Sequence, residues 1–221
     1  ADGLAGSREP SGRLLLYGPP GTGKTAWVNH LARRLDREVL VWRASDLLSK
    51  WVGGSERNIA KMFQEARESG DVLLLDEADS FLRERELAHH SWQVTQVNEL
   101  LVQMERFDGL FLCSTNLVDQ LDAASFRRFG LKIKFEVLDR AQRWELFVRT
   151  LAELGAEIEA RAALRMRLER IDRLTPGDFA AARRAVELVC SAPRAEDLLR
   201  ALEEERELKP GGGKAIGFAS G

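Results

Sequence analysis

The chain has 221 residues, 44% hydrophobic and 31% charged, with 33 basic against 35 acidic side chains for a formal net charge of −2. That length supports one sizeable core plus an appendage, and a near-neutral balance without a basic block disfavours a nucleic-acid groove or a lipid surface as partner. The two cysteines, Cys113 in an apolar run and Cys190 at a helix end, have no metal-ligand spacing, and no apolar run is long enough to span a bilayer, so we expect reduced thiols, no membrane and a cytoplasmic setting.

The chain opens at Ala1 without a methionine, which leads us to expect a piece of a longer protein. Short apolar runs then alternate with helical patterns through residue 137. That alternation predicts β-α repeats and a mainly parallel sheet, with strands near 13–17, 38–42, 71–75, 109–113 and 132–136. The first apolar run, Leu14 to Tyr17, leads into Gly18, Pro19, Pro20, Gly21, Thr22, Gly23, Lys24 and Thr25, a complete G-x-x-x-x-G-K-[ST] phosphate loop. Its glycines let the backbone from Pro20 to Gly23 turn N–H groups onto phosphate oxygens, and the helix beginning near Lys24 adds its positive dipole end. Lys24 is expected to meet the β and γ phosphates of a nucleoside triphosphate, and the hydroxyl of Thr25 to ligate Mg2+. An ordinary Gly-rich strand-to-helix turn is the plainer alternative.

Ser55 to Glu68 sets Ile59, Met62, Phe63 and Ala66 at helical spacing, a core stripe. The following strand ends in Asp76, Glu77, Ala78 and Asp79. A buried strand delivering a carboxylate beside the phosphate loop is Walker B chemistry: Asp76 for the metal, Glu77 to orient and deprotonate the attacking water. A surface acidic cluster is the alternative, and Asp79 reads as a solvated or helix-capping acid. Val94, Val97, Leu101 and Met104 predict another core-facing helix. Beyond Asp139 no strand pattern remains, and Leu146, Leu164, Leu168, Leu198, Leu199 and Leu202 predict four short helices. The expected organisation is an α/β nucleotide-binding subdomain over 1–138, a small all-helical subdomain over 139–208, and a tail over 209–221 punctuated by Pro210 and three glycines.

Taken together, these motifs resemble the AAA family of AAA+ ATPases over about residues 2–182. GPPGTGKT and LLLDEAD are similar to that family's Walker A and B, and Ser114, Thr115 and Asn116 to its first sensor. The resemblance implies a P-loop NTPase fold with a five-stranded parallel sheet flanked by helices and a helical lid, using ATP and Mg2+. Asn116, otherwise a plain turn residue, would then help hold the water or γ-phosphate. Ser49 to Glu56 resembles the first pore loop of a ring, where Trp51 and Val52 would grip a protein or peptide substrate; local sequence alone favours Trp51 packing inward, and it is the resemblance that implies pore contact. His89, His90 and Trp92 fall where a second pore loop would lie, and the two histidines are a weak metal pair.

Leu121 to Phe129 resembles the segment ending in arginine fingers, and here Arg127 and Arg128 are adjacent, as in the microtubule-severing members. Thr175 to Ala182 is similar to the second-sensor stretch, with Gly177 implied at the adenine or ribose; no arginine stands there, and a helix start capped by Thr175 explains the same residues. Leu117 and Val118 stand where the family often has Arg and Pro. The resemblance as a whole implies a homo-oligomeric, hexameric ring in which ATP is hydrolysed across a subunit boundary, and the expected function is ATP-driven unfolding or remodelling of proteins through a central pore. The rivals are a nucleotide-dependent assembly switch without motor activity and a nucleic-acid loader or helicase.

Overall fold

The computed structural model describes residues 11–48, 53–82, 91–117 and 123–209, which form two units divided after Phe135. In chain order the first unit contains β1 (Gly12–Tyr17), α1 (Lys24–Arg34), β2 (Val39–Arg43), α2 (Ala44–Leu47), α3 (Gly54–Ser69), β3 (Val72–Asp76), α4 (Asp79–Leu82), α5 (Ser91–Arg106), β4 (Leu110–Thr115), α6 (Ala123–Arg127) and β5 (Leu131–Lys134). The second contains α7 (Arg140–Glu153), α8 (Arg161–Arg170), α9 (Pro176–Val189) and α10 (Ala195–Glu207).

The five strands form one parallel sheet in the order β2-β3-β4-β1-β5. Helices cover both faces, which is why the central strands carry continuous apolar runs, over residues 14–16, 72–75 and 110–113, rather than alternating. Leu15, Leu73, Leu75, Phe111 and Cys113 point to one face and pack with Ile59, Met62 and Phe63 of α3 and Leu101 and Met104 of α5. Their neighbours Leu14, Leu16, Leu74, Leu110 and Leu112 point to the other face, against Val28, Leu31 and Ala32 of α1. Phe63 seals the first core, its ring centroid 5.4 Å from Phe107 and 5.3 Å from Phe111.

Each predicted strand is present, and the largest boundary shifts, two residues each, are at the ends of β4 and β5. Strand β4 continues into the polar pair Ser114 and Thr115 because β1 runs beside it as far as Tyr17, which lies opposite Thr115. The strand order also places β4 between β1 and β3, so the loops leaving these three strands emerge side by side at the carboxyl end of the sheet. In open parallel sheets this is where ligands bind.

The second unit buries Phe147, Leu151, Leu164, Leu168, Leu174, Phe179, Leu198, Leu199 and Leu202 in a core of its own. Asp139 caps α7, accepting from Gln142 N at 2.8 Å while Gln142 Oε1 accepts from Asp139 N at 3.0 Å. The start of α9 is tied similarly: Asp178 Oδ2 accepts from Thr175 N at 2.6 Å and Thr175 Oγ1 at 2.9 Å. The same oxygen accepts from Lys209 Nζ at 2.6 Å, which fastens the end of α10 to α9. Among the described residues no helix is long and apolar enough to cross a membrane.

Candidate functional site

The turn after β1 is held in shape before any ligand is considered. Gly21 and Gly23 have φ of 75° and 93°, backbone that only glycine adopts without strain, and Thr22 Oγ1 donates to the Pro19 carbonyl at 2.8 Å. Gly18, at φ 143°, leaves no room for a side chain: a Cβ there would overlap the Phe135 carbonyl oxygen and lie 2.9 Å from its carbon. Gly18→Ala is therefore expected to destabilise the chain by about 2 kcal/mol through overpacking and backbone strain, read as a lower urea midpoint at unchanged m-value.

Lys24 opens α1 and is buried with 8% of its surface exposed. Its ammonium donates to the Gly18 carbonyl at 2.8 Å, the Pro19 carbonyl at 3.0 Å and Asn116 Oδ1 at 2.9 Å. Burial pulls its pKa below the ordinary lysine value, with Asp76 and Asp79 pushing the other way. One residue on, Thr25 Oγ1 donates to Asp76 Oδ2 at 3.0 Å. In an octahedral Mg2+ shell with oxygens at about 2.0–2.1 Å, neighbouring ligands lie about 2.9 Å apart, so this hard-oxygen pair fits two adjacent positions of such a shell.

Asp76 and Glu77 part company at the end of β3. Glu77 has φ 56°, left-handed backbone unusual for a non-glycine residue and typical of strain kept at functional sites. Its N–H donates to Asp76 Oδ1 at 3.1 Å and to Ser114 Oγ at 3.4 Å, and Ser114 Oγ donates to Asp76 Oδ1. The Glu77 side chain is exposed, and its carboxylate has no hydrogen bond or ion pair among the described residues. It is free to accept from water.

Asp79 is the residue that the sequence analysis did not assign to this site, and Ser114, placed there only as part of the first-sensor segment, is the one whose contacts to Asp76 and Glu77 it did not foresee. Asp79, expected to be solvated or merely capping, instead accepts on Oδ1 from Thr115 Oγ1 at 2.6 Å and from Asn116 N at 2.9 Å. The signal available in sequence is that β4 ends on two hydroxyl residues beside a strand ending in three carboxylates. Cys113, directly below, is fully buried; burial first, then Asp76 and Asp79, push its thiol pKa up, so it is a packing residue.

Of the remaining predicted site residues, Arg127 is the last residue of α6, exposed and without a hydrogen bond or ion pair among the described residues. Arg128 pairs with Glu105 of α5. Gly177 is the second residue of α9, in the second unit. Trp51 and Val52, like His89 and His90, lie outside the described residues.

A family model described as "ATPase family associated with various cellular activities (AAA)" matches residues 14–137. Spastin from Drosophila erecta is 32% identical over 182 residues, covering 79% of this chain and 23% of the relative, and spastin from Drosophila melanogaster matches with the same figures. The chain thus spans about a quarter of the length of these curated relatives. Among solved structures, a chain of the E. coli MS115-1 HORMA:CdnC:Trip13 complex superposes with a TM-score of 0.71 at 21% identity, covering 88% of this chain and 74% of that one. That likeness speaks for a shared fold.

Proposed function

The chain belongs to the AAA family of ATPases, and from that premise we propose that it is the Mg2+-dependent ATP-hydrolysing module of a ring that remodels or unfolds proteins. The observation that carries this reading is the convergence of Lys24, Thr25, Asp76 and Asn116, joined by hydrogen bonds of 2.9 Å and 3.0 Å, at the carboxyl end of the sheet.

Phosphoryl transfer needs positioning and charge more than covalent help. The loop from Pro20 to Gly23 offers backbone N–H groups to the phosphates, and Lys24 exchanges carbonyl partners for phosphate oxygens. Thr25 and Asp76 hold Mg2+, which when bound neutralises charge on the β and γ phosphates. Glu77 takes a proton from the attacking water as the water oxygen bonds to the γ-phosphorus and the bridging oxygen leaves with ADP. Asn116 steadies the water or γ-phosphate, and Arg127 or Arg128 of a neighbouring copy meets the charge that develops.

The proposed ring is a hexamer whose central pore grips an extended peptide without reading its sequence, as apolar surface does. Protein suits the chain better than nucleic acid because its charge is near neutral. We assign it to the cytoplasm, which its two free cysteines suit.

The test is ATP turnover per chain measured against chain concentration with Mg2+ present. A finger supplied in trans makes specific activity rise as copies associate, and EDTA abolishes it. Turnover that is absent, or that stays constant from dilute to concentrated chain, sinks this reading.

A further inference from the structure

We propose that Asp79 is a positioning residue for Asn116: its carboxylate fixes the backbone at the tip of β4 and so determines where the Asn116 side chain stands relative to Lys24. This deepens the hydrolysis reading above and rests on it for its kinetic consequence.

The geometry follows from where the ladder stops. β4 is bonded to β1 through Thr115 and to β3 through Cys113, opposite Leu75. At the ends of these ladders two further backbone bonds hold β4 among the described residues, Gly18 N to Thr115 O at 3.3 Å and Ala78 N to Ser114 O at 2.9 Å. The N–H of Asn116 has left the sheet and would otherwise face water or go unpaired. A single oxygen of Asp79 meets it at 2.9 Å and also accepts from the buried Thr115 hydroxyl at 2.6 Å. That hydroxyl in turn accepts from Leu117 N at 3.1 Å. Residues on both sides of Asn116 are thereby held by one carboxylate, while Asn116 Oδ1 accepts from Lys24 at 2.9 Å.

Charge-assisted bonds to backbone N–H and hydroxyl groups are the stronger kind. Asp79 therefore does for the sensor what a further strand residue would do for a ladder. It also joins the segment after β3, which carries Glu77, to the segment after β4, which carries Asn116, so that water-activating and phosphate-sensing groups keep a common frame.

The experiment compares Asp79→Ala and Asp79→Asn in the full chain. Without nucleotide, amide hydrogen exchange at Asn116 should rise at least tenfold in Asp79→Ala and stay near wild type in Asp79→Asn, whose Oδ1 still accepts both bonds. With Mg·ATP, Asp79→Ala should lower kcat by about 10- to 100-fold, the cost expected of misplacing a catalytic group by an ångström. Affinity for Mg2+ with the non-hydrolysable analogue adenylyl imidodiphosphate should stay within about twofold, because among the described residues Asp79 makes no hydrogen bond or ion pair to the phosphate loop. In an Asn116→Ala background, Asp79→Ala should cost almost nothing further in kcat. Thr115→Val, which removes one donor and keeps Asp79, should shift exchange and kcat the same way by less, and serves if Asp79→Ala does not fold.

Unchanged exchange at Asn116, a kcat loss that persists in the Asn116→Ala background, or a failure of Asp79→Asn to rescue would each overturn the assignment. Wild-type chain that turns over no ATP sinks the hydrolysis reading instead, and the exchange comparison still decides whether Asp79 holds the β4 tip.

Discussion

Arg127→Ala is expected to lower ATP turnover by about 10³- to 10⁵-fold while leaving nucleotide affinity unchanged, the loss typical of a finger removed from a transferring phosphoryl group. At about 1.4 kcal/mol per decade this amounts to about 4 to 7 kcal/mol. An exposed arginine without a transition-state role contributes about 0 to 1 kcal/mol, so the two roles differ by an amount that no ordinary surface effect spans. Between the adjacent arginines, Arg128 pairs with Glu105 of its own chain, whereas Arg127 ends α6 exposed and without a partner among the described residues. We therefore expect the larger loss at Arg127. Steady-state turnover of Arg127→Ala and Arg128→Ala, each with a binding measurement, checks this. Equal and small losses would remove the finger from this segment.

Glu77→Gln is expected to cut turnover by two or more decades, about 2.7 kcal/mol or more, again with ATP binding intact. The amide is nearly isosteric, so it preserves the φ 56° turn and the bonds from Glu77 N to Asp76 and Ser114. What it removes is the proposed proton acceptor. Single-turnover hydrolysis and a titration with Mg·ATP separate the two steps; unchanged turnover would move the base elsewhere.

The two variants also test each other. A Glu77→Gln copy retains Arg127, and an Arg127→Ala copy retains Glu77, so a mixture rebuilds one complete site wherever the second receives a finger from the first. Turnover regained on mixing two nearly inactive chains demonstrates catalysis across a boundary between copies. A site complete within one chain would regain nothing.

Much of this protein was legible before its structure. The run of apolar residues in β3 and β4 announces strands buried on both faces, and the glycines of the loop after β1 announce backbone turned toward an anion, because both are local demands of burial and φ. The four helices of the second unit follow from leucines at helical spacing. Asp76, Thr25 and Lys24 were likewise recognisable, since a motif of fixed spacing carries them on the ends of predictable elements.

What tertiary structure alone decided is how distant strand tips meet. That β4 inserts between β1 and β3, and so sets Asn116 against Lys24, depends on strand order, which residue patterns along one strand do not encode. The same holds for the ties from Ser114 to Asp76 and Glu77, and from Asp79 to Thr115 and Asn116, which cross 36 to 38 positions of chain. A carboxylate in sequence looks equally suited to water or to a partner. Only the closeness of donors brought in by another strand, where the backbone ladder has run out, decides between them.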